Sequence, residues 1–260
     1  MKKVLLTGSN GFIGSRFLEI MSNKYDIVTL NKEEIDRIEL ILPNEDIECV
    51  FHIGAETDTT STDVQEIFKY NCLFSDRLIQ MSLNLNIPVV FSSSASLYGR
   101  GDNIPLNLYA WSKWVTENKW KGNNLFTALR YYNVFGIGEH NKNIKMASVL
   151  YQHLRKDKFI LFSGEPIPKR DFVYVDDVIS ANIHAFENKI YGVFDVGTGT
   201  ARSFQDFAHI MGKEIQYIEN PIKSQYQNYT CANERKFLTN WKPQYTLESA
   251  IKNIRAYYNV

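Results

Sequence analysis

Thr7-Gly8-Ser9-Asn10-Gly11-Phe12-Ile13-Gly14 is the stretch on which the reading of this 260-residue chain turns. It follows an apolar run, Lys3-Val4-Leu5-Leu6, and precedes an amphipathic segment that starts near Phe12. In a TGxxGxxG turn the first glycine permits a tight reversal. The second lets the backbone approach a pyrophosphate, and the third permits close packing of helix on strand. The N–H groups that open the helix then favour phosphate charge. The pattern predicts a dinucleotide site that uses Thr7, Gly8, Asn10, Gly11, Phe12, Ile13 and Gly14.

Outward from this turn, β-rich runs at residues 27–30, 49–53, 88–91 and 125–131 alternate with helical stretches around 67–83 and 109–120. Strands that alternate with helices imply an α/β fold, a Rossmann-type doubly wound parallel sheet. Its ligands sit at the C-terminal ends of the strands. The second half is less regular and is punctuated by Pro166, Pro168, Pro221 and Pro243. Residues 172–174 and 193–196 read as strands that return to the main sheet or its margin. Residues 1–132 plus about 171–197 are expected to form the NAD(P)-binding domain. The smaller substrate lobe then takes about 133–170 plus 198–260.

The strand-two end bears on the cofactor. An acid there would accept from a ribose 2′-hydroxyl and select NAD. This chain has Leu30-Asn31-Lys32, with Arg16 as a second nearby cation. NADP is therefore expected, and NAD stays open because Glu33 follows.

Composition narrows the function classes. Lys+Arg 29 balances Asp+Glu 29, without the basic excess of a nucleic-acid or membrane-surface protein. No stretch approaches the roughly 20 apolar residues of a membrane span. Cys49, Cys72 and Cys231 are scattered and odd in number. Neither a disulfide framework nor a metal site is expected, and a reducing cytoplasm is the expected location.

Strand four runs into Ser92-Ser93-Ser94, and Tyr109-Ala110-Trp111-Ser112-Lys113 places a tyrosine and a lysine one helical turn apart on the same face. A free tyrosine, with a pKa of about 10, is a poor base at neutral pH. A neighbouring ammonium and a cationic nicotinamide favour its phenolate. Ser94 can bond the same substrate oxygen. The set suits proton transfer coupled to hydride transfer.

With these motifs in place, the sequence resembles the extended short-chain dehydrogenase/reductase family. TGSNGFIG, Phe51-His52-Ile53-Gly54-Ala55, Asn71, SSSASLYG, YAWSK, LRYYNVFG (129–136), RDFVYVDDV (170–178) and DVGTG (195–199) stand in family order over nearly the whole chain. Within the family it resembles the ADP-L-glycero-D-manno-heptose 6-epimerases. That resemblance implies a nucleotide-sugar substrate and a homo-oligomer. Gly54, Ala55, Asn71, Asn31, Lys32, Tyr109 and Lys113 would join the cofactor site. Ser94, Tyr109 and Lys113 would be catalytic, with Lys142 as a second acid/base and Lys145 as its fallback. Thr59, Ser94, Asn133, Lys145, Ser148, Phe162, Arg170 and Tyr226 would contact substrate. A guanidinium fork at Arg170 matches phosphate oxygens. Gln225 stands where an arginine is expected.

His52 lies inside a strand and reads as a packed histidine. Glu56 and Asp58 read as loop acids near the substrate mouth, and Asp176 and Asp177 as helix caps. The leading expectation is an NADP-dependent sugar-nucleotide epimerase. The alternatives are a keto-sugar-nucleotide reductase, a UDP-, GDP- or dTDP-sugar 4-epimerase, and a non-enzymatic dinucleotide-sensing scaffold.

Overall fold

Val4, Leu5 and Leu6 have no exposed surface, because β1 (Lys2–Thr7) lies between β2 (Tyr25–Leu30) and β3 (Ile47–His52) in a parallel sheet covered on both faces. Successive side chains alternate in direction. Val4 and Leu6 enter one apolar cluster with Phe17 and Phe51; Leu5 enters another with Val50 and Phe91. The structure is a computed structural model and describes residues 1–139, 158–164, 166–219 and 227–259.

The chain continues through α1 (Phe12–Met21), which joins β1 to β2, and α2 (Ile38–Asn44), which precedes β3. A long helical arm follows, composed of α3 (Val64–Ile67), a π-helical segment (Phe68–Phe74) and α4 (Ser75–Asn84). Then come β4 (Val89–Ser94), α5 (Leu108–Trp120) and β5 (Phe126–Tyr131). With the later strand β9 (Gly192–Val196), the main sheet has the order β2-β1-β3-β4-β5-β9. All its pairs are parallel. Chain direction across the sheet reverses between β1 and β3, the switch point at which a doubly wound sheet opens a crevice. The usual strand outside β2 is absent among the described residues: the connection to β3 holds a 3₁₀ turn (Lys32–Arg37) and α2.

The second half builds two small sheets. β6 (Asn133–Phe135) pairs parallel with β8 (Lys169–Tyr174), whose other side takes β10 (Ala201–Ser203) antiparallel. β7 (Lys158–Phe162) pairs with β11 (Glu214–Ile218). Of the two strands expected to return, β9 joins the main sheet and β8 forms the centre of a separate one. Phe135, Phe172, Phe204 and Phe207 pack ring on ring beneath that small sheet. Helix α6 (Val175–Glu187) ties it back to the main body, and α7 (Phe204–Ile210) and α8 (Leu247–Tyr258) complete the lobe.

Candidate active site

The crevice at the switch point is a cleft of about 770 Å³. The glycine turn forms its floor. Gly8 has φ +71°, and a Cβ there would stand 2.5 Å from Gly54 Cα. A Cβ on Gly14 would stand 2.1 Å from the Gly8 carbonyl oxygen. The first and third glycines are thus demanded by backbone conformation and helix–strand contact. Gly11 is different, since its Cβ would meet only that oxygen, at 3.3 Å. Gly11 is also the N-cap of α1, which has no side-chain cap. The start of α1 therefore carries no side-chain cap and faces the cleft, a geometry that suits a pyrophosphate. Thr7, Gly8, Asn10, Gly11, Phe12, Ile13 and Gly14 all line the cleft, so the residues present fit a dinucleotide.

Ser94 ends β4 and Tyr109 opens the second position of α5, whose start is capped by Asn107 through a 2.8 Å bond from Ala110 N–H. Both line the cleft. The phenol and the Ser94 hydroxyl interact; burial raises the Tyr109 pKa above its usual value, and Ser94 opposes that rise. Lys113 stands one turn further, 2% exposed, behind the wall. Its ammonium donates to the Ser92 carbonyl at 2.7 Å and lies 4.7 Å from the Phe91 ring centroid. Burial pushes its pKa down to about 7. Ser94 and Tyr109 thus meet on the cleft wall, and Lys113 stands on the same helix one turn behind them.

Behind the glycine turn, His52 is fully buried and hydrogen-bonded on both nitrogens, to Thr7 Oγ1 and to Ser75 Oγ, each at 2.8 Å. Thr7 Oγ1 also accepts from Gly54 N–H at 2.9 Å, so its proton points to His52 Nδ1. Ser75 Oγ donates to the Tyr70 carbonyl and so accepts from Nε2–H. Burial drives His52 down to about 3 and keeps it neutral. The expected packed histidine is thus a polar tie between the arm and the turn. Asn71, expected at the cofactor, does not line the cleft; it is buried and engages Glu56 N–H and C=O, each at 2.8 Å, and Ser112 Oγ at 3.0 Å. The π-helical turn sets it in this position, pinning the loop after β3 to α5.

Gly54, Ala55, Asn31, Lys32 and Thr59 line the cleft as expected. Asn31 folds back on the turn, accepting from Asn10 N–H at 3.2 Å. Lys32 is bonded to Glu66 and lies 3.5 Å from Glu56. Arg16, placed near the ribose by sequence, instead forms a two-pronged pair with Asp176 at 2.8 and 2.9 Å, which locks α1 to α6. Asp176 and Asp177 are not caps: α6 has no side-chain cap, and Asp177 accepts from Gln244 and Tyr245 N–H.

At the far end of the cleft stand Asn133 and Arg170, with Gln227 and Thr230, which sequence reasoning did not pick out. The Arg170 guanidinium donates to the carbonyls of Lys169, at 3.0 Å, and Gln227. The neighbouring Asp171 accepts from Thr198, Gly199 and Ala232 N–H. Phe162 ends β7 beside Ile218 and does not line the cleft. Tyr131 and Tyr132 do line it. Tyr131 is fixed by Ser92 Oγ at 2.9 Å and by Asn182, which donates at 2.7 Å. Lys142, Lys145, Ser148 and Tyr226 lie outside the described residues.

Residues 4–197 match the model of the NAD dependent epimerase/dehydratase family. The chain is 32% identical over 288 aligned positions to the ADP-L-glycero-D-manno-heptose-6-epimerase of Brachyspira hyodysenteriae, with 90% of each chain covered. Among solved structures it superposes on the Helicobacter pylori ADP-L-glycero-D-manno-heptose-6-epimerase with a TM-score of 0.84 at 26% identity, covering 100% of this chain and 96% of that one. The Thermotoga maritima UDP-glucose 4-epimerase, solved with UDP-glucose, gives 0.83 at 25% identity, with 99% and 98% covered.

Proposed function

This chain belongs to the NAD dependent epimerase/dehydratase family, and we propose that it inverts one carbon of a nucleotide-activated sugar, by the names of its relatives carbon 6 of an ADP-glycero-manno-heptose. The observation that carries this reading is the placement of Ser94 and Tyr109 on the wall of the cleft floored by the uncapped start of α1, with Asn133 and Arg170 at its far end.

When bound, a nicotinamide dinucleotide supplies a hydride acceptor that can return the hydride to the opposite face of the carbon. Tyr109 takes the hydroxyl proton, Ser94 holds the same oxygen, and Lys113 stabilises the phenolate from behind. Arg170, its terminal nitrogens held by the Lys169 and Gln227 carbonyls, supplies positive charge towards the nucleotide diphosphate. Lys142, with Lys145 as its substitute, serves as the second acid/base, and Thr59, Ser148 and Tyr226 complete the substrate contacts. The cofactor we propose is NAD rather than the NADP expected from Leu30, Lys32 and Arg16, because Lys32 faces two carboxylates and Arg16 is paired with Asp176.

Residues 1–132 with about 171–197 are assigned to the cofactor, and about 133–170 with 198–260 to the substrate. The chain is further proposed to act as a homo-oligomer in the cytoplasm; among the described residues no helix is long and apolar enough to cross a membrane.

The test is incubation of the purified protein with ADP-glycero-manno-heptose, other nucleotide sugars and a catalytic amount of NAD or NADP, with products resolved by NMR. Inversion at carbon 6 without net cofactor consumption supports the reading. Stoichiometric oxidation of added NADH or NADPH with a keto-sugar nucleotide would replace it with a reductase.

A further inference from the structure

Glu117 is 1% exposed, an acid inside the protein on the helix that carries Tyr109 and Lys113. The three stand at successive i, i+4 positions, on one face of α5. Each engages one residue of the serine wall. Tyr109 interacts with the Ser94 hydroxyl, Lys113 donates to the Ser92 carbonyl at 2.7 Å, and Glu117 Oε2 accepts from the Ser93 hydroxyl at 2.6 Å.

A buried carboxylate is costly unless it is paired and hydrogen-bonded. Arg130 supplies the pairing, donating from Nε to Oε2 at 3.0 Å and from Nη2 to Oε1 at 2.5 Å. Its remaining nitrogen, Nη1, donates to Tyr98 Oη at 2.7 Å, and Tyr98 donates to Asp195 Oδ1, also at 2.7 Å. Burial and the Asp195 charge push the Tyr98 pKa up, so the phenol keeps the proton it donates. Ser93, Arg130 and Asp195 are register partners across β4, β5 and β9, each the last residue but one of its strand. The linked groups therefore form one row across the C-terminal end of the sheet. Ser94 follows Ser93, and the 3₁₀ turn Ala95–Tyr98 ends on the phenol that Arg130 and Asp195 hold. The stretch bearing Ser94 is thus tied at Ser93 through Glu117 and at Tyr98 through Arg130.

Resting on the reading of Ser94 and Tyr109 above, we propose that Glu117, paired with Arg130, is a positioning residue that sets the Ser94 hydroxyl against the Tyr109 phenol. Its own bonds go to Ser93 and Arg130, and it acts through them. It joins the helix of one reacting group to the strand of the other, where a misplacement of about 1 Å can cost roughly 10²-fold in rate. A planar guanidinium fork serves Glu117 and Tyr98 together, which an ammonium on a flexible stem does not. An ion pair that only stabilised the fold would change the folded fraction and leave kcat of the folded enzyme alone.

The experiment is a double-mutant cycle on turnover of ADP-glycero-manno-heptose with NAD⁺ and NADP⁺ both present, using the whole chain at a temperature where circular dichroism shows each variant folded. Glu117→Gln is expected to lower kcat by roughly tenfold, with KM and the dinucleotide Kd within about twofold of wild type. In a Ser94→Ala background the same substitution is expected to change kcat by less than about twofold, because the relation it protects has already been removed. Ser93→Ala, which cuts only the strand end of the tie, should show the same non-additivity and carries the cycle if Glu117→Gln does not fold. Losses that multiply in the double variants, or wild-type kcat in folded Glu117→Gln or Ser93→Ala, overturn the proposal. A wild type without turnover under these conditions overturns the reading of Ser94 and Tyr109 itself, and the proposal with it.

Discussion

The Lys113 ammonium donates to the main-chain carbonyl of Ser92 at 2.7 Å, so the cation of the Tyr109 pair is anchored to the strand whose next residues form the serine wall. The same Ser92 fixes Tyr131 through its hydroxyl, and Tyr131 is locked in turn to Asn182 of α6. The lysine position is therefore set by the main sheet. Its charge is costly there, which is why burial drives its pKa from 10.5 to about 7. With the folded pKa below the unfolded one, the penalty is full below pH 7 and is relieved as pH rises from 7 towards 10.5. Lys113→Met should then gain most stability over wild type near pH 6 and least near pH 9.5, in urea denaturation. The same variant should lose roughly 10²-fold or more in turnover. An equal stability difference at both pH values contradicts the buried charge.

The glycines of the turn should separate by role. Gly14→Ala drives a Cβ to 2.1 Å from Gly8 O and should cost about 3 kcal/mol of stability by overpacking. Gly11→Val should cost about 1 kcal/mol, at a helix N-cap, yet abolish cofactor binding by filling the approach to the uncapped N–H groups. Thermal melts and cofactor titrations, run on the same preparations, distinguish the two. Retained binding in Gly11→Val defeats the pyrophosphate assignment.

His52 predicts the acid limb of stability. Its pKa falls from 6.5 unfolded to about 3 folded. Its contribution is therefore complete above pH 6.5 and is lost as pH falls towards 3, because the unfolded chain takes up the proton first. His52→Leu should flatten that limb, and at neutral pH should cost about 1–3 kcal/mol by stranding Thr7 and Ser75. The check is a pH series of denaturation midpoints for both proteins.

Much of this was legible in the sequence, for physical reasons. The glycine spacing is legible without tertiary information because Gly8 needs a positive φ and Gly14 meets the turn's own carbonyl, both local demands; the approach of Gly8 to Gly54 is the tertiary part. Tyr109 and Lys113 are joined by helical periodicity alone. The pairing of Lys32 was not legible because its partners, Glu56 and Glu66, lie 24 and 34 residues away. Arg16 and Asp176 are 160 residues apart. Asn71 shows the opposite difficulty: it stands where the resemblance places a cofactor residue, yet a π-helical turn, which has no sequence signature, directs its amide into the wall. The β8 run reads as a buried strand in either sheet, and only pairing with β6 and β10 decides which.

Self-association should run through the outer face of α5 and the arm beside it. Trp111 and Trp114 are each 41% exposed, with Phe68 at 42% and Leu73 at 56% on the adjoining π-helical segment. Large apolar groups gathered on one surface mark an interface more often than a solvated face. Light scattering should report a homo-oligomer for the wild type and a monomer for Trp111→Ser/Trp114→Ser. A monomeric wild type removes the homo-oligomer from the proposal.

The proposed inversion calls for two proton-transfer groups. Inversion requires that a hydride leave one face of the carbon and return to the other, so the oxidised sugar must turn within the cleft and its oxygen then points elsewhere. A proton moves only within hydrogen-bond reach, so one side chain cannot readily serve both orientations. Tyr109 serves the serine wall. The second group is assigned by resemblance to Lys142, outside the described residues, where desolvation would be needed to make a lysine basic near neutral pH. Tyr109→Phe and Lys142→Met should each lower turnover by roughly 10²-fold or more while dinucleotide binding is kept. The pair should also differ in partial reactions. A substrate already oxidised at the reacting carbon, reduced in a single turnover by a stoichiometric reduced nicotinamide dinucleotide that supplies the hydride, would give one epimer with Tyr109→Phe and the other with Lys142→Met. Near-full activity of Lys142→Met shifts the role to Lys145, and full activity of both lysine variants leaves Tyr109 as the one proton-transfer group, which is the arrangement of a one-face reductase.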